Sequence, residues 1–251
     1  IYSEYIIISK LHVNLDAQKL LISWICITAS TLLGAWEWTL LIRVLGGHVK
    51  LLTGMRIHLI SVLSKYIPGY IWPYISKSHL AIRSGIPFNI AISSVIGELT
   101  IIYLSGILLF LLGLPFNDLI MKKENVLFAE IGFVAICVIA VFVFRSLLDE
   151  YRNKFIKKAW KGLIFVIIAV TLTWCLLGLG FYMLDASIKP PTHNPWRLFS
   201  GLIVALLGGQ LVLVVPMGIG VREAILVAIL NSDKQAWLVV LMALIFRLEM
   251  T

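Results

Sequence analysis

Five apolar runs, 20–42, 89–113, 126–144, 162–184 and 198–215, each approach or exceed the length of a bilayer-crossing helix. A helix needs about 20 apolar residues to cross a hydrocarbon core of about 30 Å. Two weaker apolar stretches, 219–235 and 237–251, follow them. Only 14% of residues are charged and the mean hydropathy is +0.98, whereas soluble domains carry about 25% charge. The alternating, half-polar strands of a membrane barrel are absent. The chain therefore reads as an all-α, polytopic helical membrane protein with broken or re-entrant helices in each half. It reads as a single transmembrane domain over 1–251. The last run has 15 residues before Thr251 and no Met opens the chain. The expectation is a piece of a longer membrane protein whose first span precedes Ile1.

Charge along the chain sets an orientation. Residues 43–86 carry six basic groups (Arg43, Lys50, Arg56, Lys65, Lys77, Arg83) and no acid. Residues 145–161 carry six more (Arg145, Arg152, Lys154, Lys157, Lys158, Lys161) against Asp149 and Glu150. The connections 114–125 and 185–197 are nearly neutral. Basic and neutral connections alternate, so the positive-inside rule places 43–88 and 145–161 in the cytoplasm of a multi-pass cell-membrane protein. In that setting the net charge of +8 points to topology and anionic lipid rather than nucleic acid.

The segment Ser64–Pro87 lies between two long apolar runs, yet it is basic and aromatic. It holds Lys65, Lys77 and Arg83 with Tyr66, Tyr70, Trp72 and Tyr74. Pro68, Gly69 and Pro73 forbid an unbroken helix. Residues 51–64, just before it, have the pattern of an amphipathic helix for the cytoplasmic interface, and equally of a short connector.

A second break reads Val215-Pro-Met-Gly-Ile-Gly-Val-Arg-Glu223. Pro216 ends one helix, and Gly218 and Gly220 allow a tight turn. A new helix then starts near Val221 with Arg222 in its first turn. Free N–H groups and a fixed cation make such a start a place for an anion, with Glu223 as a competitor. Paired interrupted helices point to a transporter binding site. Equally, both can be kinks satisfied by neighbouring helices.

Glu98 lies ten residues into a span, where a charge is expensive and requires a partner. Arg222 and Arg247 are the expected partners. Either the three surround a polar cavity, or they form a structural ion pair between the halves. Glu37, between Trp36 and Trp38, reads as interfacial; Glu130 and Asp185 read as solvated near the outer surface. Gln210 follows two glycines and suits close packing. Cys26, Cys137 and Cys175 read as buried small hydrophobes. His48, His58, His79 and His193 have no metal spacing. No metal and no cofactor are expected.

Lys65-Tyr-Ile-Pro-Gly69 with Trp72 and Pro73, the basic run through Arg83, early Glu98, Pro216–Ala224 and Arg247 together resemble the lysylphosphatidylglycerol synthase/flippase transmembrane-region family. The order and spacing extend over about 43–250, with Met217 where the family's second motif usually has glycine. The resemblance implies a multi-pass domain that handles amphipathic lipids, as in translocation of charged phospholipids or in polyprenyl-linked glycan pathways. The namesake synthase chemistry resides in a separate soluble domain and is not carried over.

These features make a lipid flippase or lipid-binding domain the leading reading, with membrane lipids as partners. Lys65, Arg222, Arg247 and the Gly218/Gly220 turn would hold a phosphate; Glu98 and Glu223 would tune charge. Tyr66, Pro68, Gly69, Trp72 and Arg83 would form the headgroup entrance. An integral-membrane glycosyl- or phosphotransferase is the alternative, but no Asp-x-Asp and no Ser/His/Asp set is present, so no catalytic residue is assigned. A non-catalytic role in envelope assembly, with a homo-oligomer or other partner proteins, is the third.

Overall fold

The computed structural model describes residues 15–67, 69, 71–113, 152–188, 194–212, 218–230 and 236–250. The apolar run 126–144, Glu130, Cys137, Pro68, Pro216 and Met217 lie outside these residues. Every described element is helical apart from one isolated bridge, Leu15 to Ile188. In order they are α1 (Ala17–Val44), α2 (Leu51–Leu63), a 3₁₀ turn (Ser64–Tyr66), α3 (Trp72–Arg83), α4 (Phe88–Gly113), α5 (Arg152–Ser187), α6 (Pro195–Leu211), α7 (Val221–Leu230) and α8 (Ala236–Glu249). The protein is an all-α polytopic membrane protein: α1, α4 and residues Gly162–Ser187 of α5 are long and apolar enough to cross a membrane.

The largest helix contact is α1 against α5. Gly180 lets α5 approach Ile27 and the Ser23 carbonyl, and Gly162 faces Val44, so the two helices run antiparallel. At one end Asp16 caps α1 by accepting from the Gln18 N–H at 3.2 Å. The Asp16 N–H also donates to the Ser187 carbonyl at 2.8 Å. At the other end Arg43 donates through Nε and Nη2 to the Val49 carbonyl, closing the turn into α2. Outward-facing Leu21, Trp24 and Ile25 of α1, and Ile164, Phe165, Ile167 and Ile168 of α5, leave an exposed apolar surface. Lipid covers such a surface without loss, because the backbone polar groups are satisfied within each helix.

The first broken segment begins with α2 packed back along α1. Gly54 of α2 sits against Thr39, and His58 sits against Gly34. That antiparallel register, continued, brings Lys65 alongside the Ile27 region, near the middle of the 28-residue α1. The 3₁₀ turn follows, Gly69 adopts φ +99°, and Pro73 opens α3. Then α3 returns against α2 and α4. Gly69 and Pro73 thus lie in the turn of a helical hairpin, at which Tyr66, Ile67, Ile71 and Trp72 are exposed. Within α2, Gly54, Ile57 and Ser61 are buried, while Leu52, Ile60 and Leu63 face outward.

The second break has the same plan. Asn194 caps α6 by accepting from the Trp196 N–H at 3.0 Å. Gly201 of α6 faces Ile229 and Leu230, Gly208 faces Ile225, and Gly209 faces Arg222, so α7 runs back along α6. Gly218 (φ +66°) packs on the Gly209 backbone: a Cβ at 218 would fall 2.8 Å from the Gly209 carbonyl oxygen. Arg197 donates from Nε to the Ile229 carbonyl at 2.9 Å and closes the far end of the pair.

Two minor expectations are corrected by packing. Asp185 is fully buried rather than solvated. Cys26 is buried as expected, but Cys175 faces outward.

Candidate functional site

A cavity of about 280 Å³ lies between the two hairpins. All eight described helices contribute to its wall. This volume is at the lower limit of small-molecule sites, about 300–1,000 Å³. It accommodates a compact polar group, not a whole two-chain lipid.

Two charged centres line the cavity. The first is a buried cluster under α1. Lys77 donates to both Glu98 oxygens at 2.8 Å and to His58 Nδ1 at 3.1 Å. An ammonium has three protons and no acceptor, so all three are used and the imidazole must accept. The Lys77 Nζ also lies 5.3 Å from the Trp38 ring centre, within cation–π range. The Lys77 and Glu98 side chains are each only 5% exposed. Burial of a charge in apolar surroundings requires this degree of pairing.

The second centre gathers cations from three separate elements: Lys65 from the 3₁₀ turn, Arg222 from α7 and Arg247 from α8. Arg222 and Arg247 are close enough to Lys65 to repel it. Lys65 donates to the Met250 carbonyl at 2.8 Å. Arg247 donates from Nη1 to Glu223 Oε1 at 3.1 Å, and the other Glu223 oxygen accepts from the Gly220 N–H at 2.7 Å. Glu223 therefore reaches back to the start of its own helix, as the acid of a capping box does.

Of the residues singled out from sequence, Lys65, Glu98, Arg222, Glu223 and Arg247 line the cavity. Tyr66 and Trp72 are largely exposed, and Arg83 is exposed at the end of α3. Gly69 packs beside the Trp72 ring; Gly218 and Gly220 form the turn before α7. The expected partners of Glu98 are corrected: Lys77 holds it, and Arg247 pairs with Glu223 instead. The hairpin fold is the cause, because it delivers Lys77 to α4 before either arginine is near.

Sequence reasoning missed Lys77, His58 and Glu37. Glu37 is 3% exposed and lines the cavity, so its interfacial placement is also corrected. Lys77 was in view as one of three bases in 64–87, but nothing in the sequence separated it from Lys65 and Arg83. For Glu37 the same argument that marked Glu98, an acid within a span, was available. Gln210 lines the cavity too, and among the described residues its Oε1 has no hydrogen-bond partner.

A family model described as Lysylphosphatidylglycerol synthase TM region matches residues 7–249. No curated protein matches the chain.

Proposed function

This chain belongs to the lysylphosphatidylglycerol synthase transmembrane-region family, and on that premise we propose that its cavity binds the phosphate-bearing headgroup of a membrane lipid and carries it between leaflets. The family ties the chain to a membrane-lipid-related function. The observation that supports the finer reading is the convergence of Lys65, Arg222 and Arg247 on one small cavity. Cations brought together from three elements repel one another, and an anion that enters between them relieves that repulsion. Arg supplies planar donors that suit phosphate oxygens. Glu223 holds Arg247 in place and fills one N–H of the α7 start, so a phosphate would be held mainly by side chains.

The cavity admits the headgroup, and the acyl chains would remain among the apolar helix faces. An anionic or aminoacylated phospholipid and a polyprenyl-linked lipid all present such a phosphate. We place the basic segments 43–88 and 145–161 on the cytoplasmic side of the cell membrane. Lys65 and Lys77 turn inward, and Arg43, Lys50, Arg56 and Arg83 remain exposed at the mouth of the first hairpin, which still satisfies the positive-inside rule.

The test is a leaflet-resolved assay in vesicles of phosphatidylglycerol and phosphatidylcholine, with native mass spectrometry of co-purified lipid. Wild type is expected to redistribute a labelled phosphatidylglycerol, and Arg222→Ala to lose at least tenfold in rate. Equal distributions for wild type, Arg222→Ala and empty vesicles would sink the proposal.

A further inference from the structure

Glu37 and Glu98 are equally buried, at 3% and 5% exposure, and both line the cavity. Their surroundings are opposite. Glu98 is held by an ammonium on both oxygens. Among the described residues no Lys or Arg is within ion-pair distance of Glu37, and its one hydrogen-bond partner is the Thr173 hydroxyl at 3.3 Å.

That hydroxyl is already engaged. Thr173 Oγ1 lies 3.1 Å from the carbonyl of Ala169 one turn earlier, the usual back-bond of a helical threonine. A hydroxyl has one proton and two lone pairs. If Glu37 is a carboxylate, Thr173 has two acceptors to satisfy with one proton. If Glu37 is a carboxylic acid, its O–H donates to Thr173 Oγ1, and Thr173 donates on to Ala169. The protonated form uses both the proton and a lone pair of Thr173 and leaves no buried negative charge without a cation beside it.

The charges that face Glu37 agree. Lys77, on α3, is the nearest cation on the first hairpin, but its protons go to Glu98 and His58. Glu98, on α4, adds a second negative charge that disfavours ionising Glu37. Lys65, Arg222, Glu223 and Arg247 line the same cavity as a separate group, and none of them is within ion-pair distance of Glu37. Among the described residues no group of three His, Cys, Asp or Glu side chains is placed to hold a metal ion.

We propose that Glu37 is a proton-binding site of this cavity, and that the proton it takes up and releases is the coupling ion of lipid movement. The first half stands on the geometry alone; the second rests on the lipid-translocation reading. The step balances simply: a carboxylate and a proton from cavity water give the acid, whose O–H donates to Thr173.

Two measurements test it. In pH-difference infrared spectra of the purified protein, a carbonyl band of a protonated carboxylic acid is expected. It should vanish in Glu37→Gln and shift in Thr173→Val. Identical spectra for wild type and Glu37→Gln would overturn the proton site. In phosphatidylglycerol vesicles, an imposed pH gradient is expected to change wild-type lipid movement at least threefold and to leave Glu37→Gln unresponsive. A wild-type rate indifferent to the gradient overturns the coupling. If no lipid moves under any condition, the translocation reading falls and the coupling with it, and the infrared band still decides the proton site.

Discussion

The two hairpins share a plan and differ in what they do with their charges. Both are helix pairs with a positive-φ glycine in the turn, Gly69 in the first and Gly218 and Gly220 in the second, and both rely on glycine for close approach: Gly54 against Thr39 in the first, Gly208 and Gly209 against α7 in the second. In the first, the cation is withdrawn. Lys77 spends its three protons on Glu98 and His58 beneath Trp38. In the second, the cations are presented. Glu223 keeps 14% side-chain exposure, and Arg222 beside it reaches the space that Arg247 of α8 and Lys65, from the turn of the first hairpin, also reach. The difference teaches that charge inside a membrane protein serves two ends. A fully paired charge holds helices in register, and a partly paired one leaves capacity for a ligand.

The comparison can be broken most severely at Lys77. Lys77→Met strands Glu98 in an apolar site. Removing one partner of a buried pair costs about 3–5 kcal/mol, and the thermal unfolding midpoint in detergent should fall sharply. The double variant Lys77→Met with Glu98→Gln should recover most of that loss. A single variant as stable as wild type would show that the pair does not hold the hairpin.

An intermediate effect is expected at the glycines. Gly54→Val and Gly209→Val each overpack a helix contact and should each cost about 1–3 kcal/mol. Their effects on ligand should diverge. A Cβ at 209 would fall 2.5 Å from the Arg222 side chain, so only Gly209→Val should weaken lipid retention seen by native mass spectrometry. Equal losses of lipid in both variants would mean that the hairpins are not functionally distinct.

The smallest stability change is expected for Glu223→Gln. The pair with Arg247 is partly open to the cavity, and pairs of that kind contribute about 1 kcal/mol or less. Without the carboxylate, Arg247 is no longer held by a competing charge, and lipid affinity should rise by a few fold. A fall in affinity in the same lipid-binding measurement would make Glu223 a positioning group rather than a competitor.

The class of fold was legible because it depends on local quantities. Apolar runs of span length, at 14% charge, admit no soluble solution, and α1 and α4 lie where their runs predict. The breaks were legible for the same reason: Pro68 and Pro73 restrict their own backbone whatever surrounds them, and Gly69, Gly218 and Gly220 permit the positive φ that a turn uses. Even the cations of the second centre could be named, since a charge in an apolar stretch must be accounted for. The packing partner of 51–64 was not legible. An amphipathic stripe does not name the helix it covers, and the contacts of Gly54 and His58 with α1 follow only from the fold.

By itself, then, the sequence determined that this chain crosses a membrane, that two segments must turn within its helical course, and that certain charges require partners. Tertiary structure alone decided which partners they received. Lys77 reached Glu98, Arg247 reached Glu223, and Glu37 was left with a threonine hydroxyl. Pairing energies fall with distance, and distances between groups far apart in the chain are set by how helices pack. Composition and spacing carry no record of that packing.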